Sequence, residues 1–376
     1  MLRFLTAGES HGPCLTIIID GLPAGLPLSE EMIARDLARR QQGYGRGGRM
    51  RIEQDRAEIA GGVIRGLTTG APLALRIENR DWANWKDRDW PALTVPRPGH
   101  ADLAGALKYG LDDVRPILER ASARETAGRV AAGAAARALL AEFGVRISSY
   151  VTEIGGALAT ISEGTALDEL LTLAEASDVR CPDAAAAQAM RLRIDEARAA
   201  GDSLGGVFCV AAQGAPPGLG SHAQWDRRLD AALAAAVMSI PAIKGVEIGP
   251  AFENARRPGT QVHDAILPSA EGHRALRRAS NRAGGIEGGI SNGEPILVRA
   301  AMKPIPTTIT PQPTVDLLTG AAAATEYQRS DVCAVPAASI VGEAMVAWTL
   351  ADALLAKLGG DSLAEMRRHF LAGMGG

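Results

Sequence analysis

Aromatic residues make up only 4% of this chain, which leaves little of the stacking surface that single-strand nucleic-acid binders use. Its four cysteines, Cys14, Cys181, Cys209 and Cys333, are scattered and form no C-x-x-C pair. That spacing argues against a structural metal centre and for reduced thiols in a cytoplasm. A net charge of -3 gives no global pull toward nucleic acid or an anionic membrane, so an anion site has to come from local clustering of arginines. No apolar run approaches the roughly 20 residues that span a bilayer, and the start, MLRFLTAGES, has no signal-peptide pattern. A cytoplasmic protein with no membrane partner is the expectation.

What is present is a globular composition, with 47% hydrophobic and 22% charged residues, able to bury a substantial core. Glycine is plentiful, 43 of 376 residues, so much of the backbone turns sharply or approaches something closely. Helix-like and strand-like segments are mixed without a regular βαβ alternation, a fixed-period repeat or a linker-like stretch. The pattern predicts one α+β unit over residues 1–376.

Residues 14–20 read as a short buried strand rich in β-branched side chains. Ser29 caps a helix ending at Arg39 and Arg40, with Glu30 and Glu31 in its first turn. Residues 41–51 read as a mobile basic loop, and strand-like pieces follow at 51–63 and 71–77. The spacing of Ser122 and Glu125 predicts a capping box that opens an alanine-rich helix running to about Phe143, with Gly144 ending it. Gly128 and Gly133 interrupt that helix at about 1 kcal/mol each, which marks close approach by another backbone or a ligand. Further helices are predicted at 184–200, 225–238 and 337–358, and strands at 145–154 and 206–212.

Two histidines sit in glycine-flanked turns. His11 lies in GESHG at 8–12 and His100 in RPGHAD at 97–102, where Asp102 is placed to cap the following helix. Either imidazole suits a proton donor to a departing anion, although a histidine in such a turn is more often structural. Arg40, Arg46, Arg49 and Arg51 surround the first glycine loop, and Arg97, Arg120, Arg124 and Arg129 flank the second histidine and the capped helix. Their planar forks match carboxylate and phosphate, as does a helix N-terminus, so a substrate with several negative charges fits. RNA binding through the loop is the rival reading, but Tyr44 is the one aromatic within it. The cluster NRAGGIEGGISNG at 281–293 and the run KPIPTT at 303–308 read as an anion or cofactor loop without a Walker or Rossmann fingerprint. Asp331, two residues from Arg329, reads as an ion-pair partner or a proton acceptor.

In order along the chain, the segments GESHG at 8–12, GYGRGGR at 43–49, TTGAP at 68–72, RPGHAD at 97–102, SARET at 122–126 and RVAAG at 129–133 resemble those of the chorismate synthase family. The resemblance continues through DSLGG at 202–206, IPAIKGVEIG at 240–249, residues 281–293, KP at 303–304 and RSD at 329–331. It implies a single-domain βαβ sandwich with mixed, largely antiparallel sheets, assembled as a homotetramer. It also implies reduced FMN and a 1,4-elimination of phosphate from 5-enolpyruvylshikimate 3-phosphate. A flavin reductase using NADPH is the alternative within enzymes.

By matching positions, the resemblance assigns Ser10, Arg40, Arg46, Arg49, Arg97, Arg124 and Arg329 to substrate anions, with Arg40 and Arg46 also at a nicotinamide-nucleotide contact. His11 would protonate the leaving phosphate. His100 would sit by the reduced flavin and control its protonation, and Asp331 would assist loss of the ring proton. FMN would be held by Arg120, Ala121, Ser122, Pro241, Ala242, Gly288, Lys303, Pro304, Ile305, Pro306, Thr307 and Arg329. Many relatives have asparagine at the position of Pro241 and histidine at that of Ser330. Residues 160–200 match poorly and receive no role.

Overall fold

The computed structural model describes residues 1–47, 54–162, 165–269, 276–328 and 330–374. Arg49, Arg51 and Arg329 lie outside the described residues, as does part of the predicted basic loop.

A first sheet contains β1 (Arg3–Ala7), β2 (Cys14–Asp20), β3 (Ala57–Gly61) and, beyond a small hairpin of β4 (Val63–Ile64) and β5 (Leu67–Thr68), β6 (Leu73–Glu78), in the order β1-β2-β6-β3. Of the piece predicted at 51–63, the described residues hold β3 and the start of β4, separated because the chain turns at Gly62, whose φ is 89°. A second sheet contains β7 (Arg146–Ile154), β8 (Ala157–Leu158), β9 (Gly206–Gln213) and β10 (Ile243–Ile248). Two hairpins, β11 (Ile266–Leu267) with β12 (Arg277–Arg278) and β13 (Ile286–Glu287) with β14 (Ile290–Ser291), lead to β15 (Ile296–Met302), which completes the order β10-β15-β9-β7-β8. Every strand pair in both sheets is antiparallel. A last hairpin pairs β16 (Pro313–Val315) with β17 (Ala322–Ala324).

The helices are α1 (Glu30–Gln41), α2 (Asp102–Tyr109), α3 (Arg115–Arg120), α4 (Thr126–Ala141), α5 (Leu167–Ala176), α6 (Ala184–Ala199), α7 (Leu229–Met238), α8 (Ala251–Asn254), α9 (Val335–Leu358) and α10 (Leu363–Met374). Ser29 caps α1 as its sequence predicts, accepting from the Met32 N–H at 3.4 Å. The capping box at Ser122 does not form. A 3-10 turn, Ala123–Glu125, comes first, and Glu125 instead accepts from Arg129 at 3.0 Å. The helix predicted at 225–238 is likewise split, with a 3-10 turn Trp225–Arg227 preceding α7.

Two of these helices fix the architecture. Helix α4 packs on β2 of the first sheet, α9 packs on β7 and β9 of the second, and the two helices pack on each other. Alternation explains the burial: Leu15, Ile17 and Ile19 of β2 all face inward, as do Leu73, Leu75 and Ile77 of β6. Helix α9 is apolar enough over its 24 residues to cross a membrane by length and composition, contrary to the expectation of no such run. It is instead the central helix, with 72% of its apolar window buried. Its Glu343 is fully buried and receives hydrogen bonds from Arg39 of α1, Arg137 of α4 and Arg180. Arg180 gives a structural part to the segment for which sequence offered none.

Of the interior glycines of α4, Gly133 meets the predicted close approach by another backbone, while Gly128 meets side chains instead. A Cβ at Gly133 would lie 2.3 Å from Cβ of Ala344 and 2.5 Å from its Cα on α9, whereas one at Gly128 would lie 3.0 Å from Cγ2 of Thr6 and 3.2 Å from Cγ1 of Ile17. Gly133→Ala is therefore expected to destabilise by about 1–3 kcal/mol through overpacking, despite better helix propensity. Gly128→Ala should cost less. Chemical denaturation of both variants checks this, and a Gly133→Ala protein as stable as the parent would contradict the packing described.

Candidate active site

Helices α4 and α9 both begin at one cavity of about 630 Å³. Its wall is both apolar and charged. Ile240, Met302, Ala334, Ala337, Ala338 and Val341 give an apolar face, four of them from the start of α9 and the residue before it. The described lining residues also include seven cations, Arg40, Arg46, Arg97, Arg120, Arg124, Arg129 and Lys303, and two carboxylates, Glu125 and Asp331.

The arginines are held from behind by buried carboxylates. Asp55 is fully buried and receives Arg124 at 2.5 Å and Arg40 at 3.3 Å. Arg124 also donates to Asn79 at 2.7 Å, and Arg40 donates to Thr126 at 2.9 Å and to the Ala123 carbonyl at 2.9 Å. Burial lowers the Arg40 guanidinium to about 10, with Arg46 and Arg124 pushing the same way and Asp55 opposing, so it is still a cation at neutral pH. Arg46 pairs with Asp331 at 2.8 Å, and the Gly47 N–H donates to the same carboxylate at 2.6 Å. The first glycine loop is thus pinned to Asp331 at Arg46 and Gly47.

Asp102 does not cap the helix after His100, whose N-cap residue is Ala101. Asp102 is the first residue of α2, wholly buried, and accepts from Arg97 Nε at 2.8 Å while lying 2.5 Å from His100 Nδ1. Burial opposes its charge, but the hydrogen bonds and charges of His100 and Arg97 outweigh it and hold the carboxyl well below the usual carboxylate range. Arg97 reaches on to Thr307 at 3.0 Å. Lys303 donates to the Gly99 carbonyl at 2.9 Å, and burial, with help from Lys244, lowers its ammonium.

His11 is held by Glu119, whose Oε1 lies 2.8 Å from Nδ1. Next to it Ser122 donates to Ser10 at 3.0 Å, while Arg120 reaches back to Thr6 and the Gly8 carbonyl at 2.7 and 3.3 Å. Ala242 lies in the turn before β10 at φ 68°, a conformation that costs a non-glycine residue about 1–2 kcal/mol. Its carbonyl accepts the Lys303 N–H at 2.9 Å.

The chorismate synthase family model matches residues 2–355. The chain belongs to the chorismate synthase family. Membership makes it an enzyme, a lyase. It is 56% identical over 384 residues to the chorismate synthase of Pelobacter propionicus, with 98% of each chain covered. It is 54% identical over 389 residues to that of Chlorobaculum tepidum, covering 98% of this chain and 96% of the other. A solved structure, the crystal structure of a chorismate synthase, matches with a TM-score of 0.81 at 47% identity, covering 100% of this chain and 97% of its own.

Of the residues singled out through the family, the cavity gathers Ser10, His11, Arg40, Arg46, Arg97, His100, Arg120, Ala121, Ser122 and Arg124 from the first half. From the second half it gathers Pro241, Ala242, Lys303, Ile305, Pro306, Thr307 and Asp331, with Pro304 between lining residues. Gly288 is not in the wall. It turns the β13–β14 hairpin at φ 59°, and that hairpin is tied to the start of α7 by the Leu229 N–H donating to Gly289 at 2.9 Å. Sequence reasoning missed Asp55, Glu119 and Trp85, the last packed on His11 at 4.1 Å between ring centroids.

If Asp55 sets the arginine wall, Asp55→Asn should lose about 3–5 kcal/mol, because it leaves buried cations uncompensated. Breaking the exposed Arg193–Glu196 pair should cost about 0–1 kcal/mol. Urea denaturation compares them, and equal costs would contradict the buried role.

Proposed function

We infer that the protein converts 5-enolpyruvylshikimate 3-phosphate to chorismate and phosphate by 1,4-elimination, with reduced FMN bound in the same cavity. The observation that carries this is the make-up of the wall: seven cations and an apolar surface line one cavity in a chain of net charge -3. The substrate bears two carboxylates and a phosphate, which need cations held without water, and arginine forks suit them. FMN joins a flat apolar ring to a phosphate. The start of α9 offers the first an apolar face, while Lys303 and the N–H groups after Ser122 suit the second.

On this reading FMN is held by Arg120, Ala121, Ser122, Pro241, Ala242 and Lys303 to Thr307. When bound it supplies electron density as phosphate leaves and regains it as the ring hydrogen is lost, with no net oxidation. The remaining work falls to side chains. Arg40, Arg46, Arg97 and Arg124 orient the anions, with Arg49 and Arg329 added by family resemblance. His11 gives its proton to the departing phosphate, His100 governs protonation beside the flavin, and Asp331 assists loss of the ring proton. The family's sandwich fold, homotetramer and cytoplasmic setting belong to the same reading.

Under strict anaerobiosis, chemically reduced FMN should support many turnovers without further reductant, and oxidised FMN should support none. His11→Ala should slow phosphate release by about 10² to 10⁴ while flavin binding persists. Consumption of one reductant per product would make the protein a reductase instead.

A further inference from the structure

His11 has two ring nitrogens, and one of them is already committed. Nδ1 lies 2.8 Å from Oε1 of Glu119, and the His11 backbone N–H donates to Oε2 of the same carboxylate at 2.8 Å. The Ser10 N–H donates to the Glu119 carbonyl at 3.1 Å. A single residue of α3 thus grips the turn at three points. Glu119 is 4% exposed, and the Trp85 ring covers the imidazole, inclined at 39° to it. Trp85 is itself fixed by donating its Nε1–H to Asp81 at 3.3 Å. With Nδ1 tied and Trp85 packed on the ring, Nε2 is the nitrogen left for a bound molecule.

We propose that Glu119 is a positioning residue that keeps His11 as an Nε2–H proton donor, through the carboxylate at Nδ1. The proposal rests on the reading of His11 as the acid of the elimination and names what equips it. A neutral imidazole facing this carboxylate carries its proton on Nδ1 and has none on Nε2 to give. The imidazolium carries both, and an adjacent carboxylate stabilises that form. As the carbon–oxygen bond breaks, its electron pair stays on phosphate, which takes the Nε2 proton. His11 is left neutral with Nδ1–H still donated to Glu119. The elimination releases one ring proton per turnover, so the proton count balances.

The charges around His11 come from three segments. Glu119 is in contact with the ring, and Arg115 acts on Glu119 from the same helix. Arg120 reaches the Gly8 carbonyl, Glu9 lies on the turn itself, and Arg88 stacks on Trp85 at 4.9 Å. Burial opposes charge on Glu119, but the hydrogen bond and charge of His11 outweigh it and hold the carboxyl below the usual carboxylate range. Glu119 is therefore ionised wherever the enzyme would work.

Glu119→Gln keeps the shape and the acceptor for the backbone N–H while removing the charge. The measurement is an NMR titration of the His11 ring in protein without FMN or substrate, assigned by the signal lost in His11→Ala. The His11 pKa should fall by about one to three units. The limb on which phosphate release declines as pH rises should move down equally, with kcat reduced at neutral pH and KM little changed. Glu119→Asp, which keeps a charge slightly withdrawn, should restore much of the shift. If thermal melting shows that the Gln variant does not fold, the Asp variant decides, with a smaller downward shift expected. An unchanged His11 titration overturns the proposal. A shifted titration with unchanged phosphate release overturns it through the reading on which it rests, since His11 would then not be the acid.

Discussion

The near-contact of Gly133 with Ala344 is the constraint on which the rest of the structure depends. It lets α4 and α9 approach closely enough for each to carry one antiparallel sheet on its outer side. Because both helices start at the same end, their first turns lie together at the cavity, one lined with charge and the other with alanine and valine. Two helix N-termini aimed at one space add a positive field to that of the arginines. The catalytic chemistry proposed for the site is therefore a consequence of how tightly two helices pack two turns further in.

A cationic cavity needs something to stop its own charges from repelling each other. Here that is done by carboxylates placed behind the wall: Asp55 for Arg40 and Arg124, Asp102 for Arg97 and His100, and Glu119 for His11. Each is buried, and each fixes a side chain whose orientation the reaction needs. Glu343 does the same at a distance, joining Arg39, Arg137 and Arg180 in the core. Buried ion pairs of this kind are weak sources of net stability. Their value in this fold is placement.

Much of this was legible in the sequence. Strand β2 and helix α1 follow from β-branched alternation and from Ser29, whose hydrogen bonds are local. Gly133 announces its close contact because glycine inside an alanine-rich helix has few other reasons to be there. The glycine-flanked histidines and the arginine clusters could be picked out, and family resemblance ordered them. What could not be read is what joins distant segments. Glu119 meets His11 across 108 positions, and Asp55 meets Arg124 across 69; no spacing rule connects them. Local signals also misled where another nearby side chain was the stronger partner. Glu125 prefers Arg129 to a capping role, and Asp102 prefers His100 and Arg97 to the helix end. The helix at α9 was predicted, but its membrane-spanning length of apolar residues went unnoticed because Glu343 interrupts it, and that charge is tolerable only with three arginines around it.

The claim at the centre of the account is that one cavity holds both the flavin and a substrate with three anionic groups, the ring at the start of α9 and the anions at the arginines. A crystal structure of the protein with oxidised FMN and 5-enolpyruvylshikimate 3-phosphate tests it directly. The account predicts density for both molecules between the starts of α4 and α9, with substrate anions at Arg40, Arg46, Arg97 or Arg124. Density for either molecule elsewhere, with this cavity holding solvent alone, would contradict it.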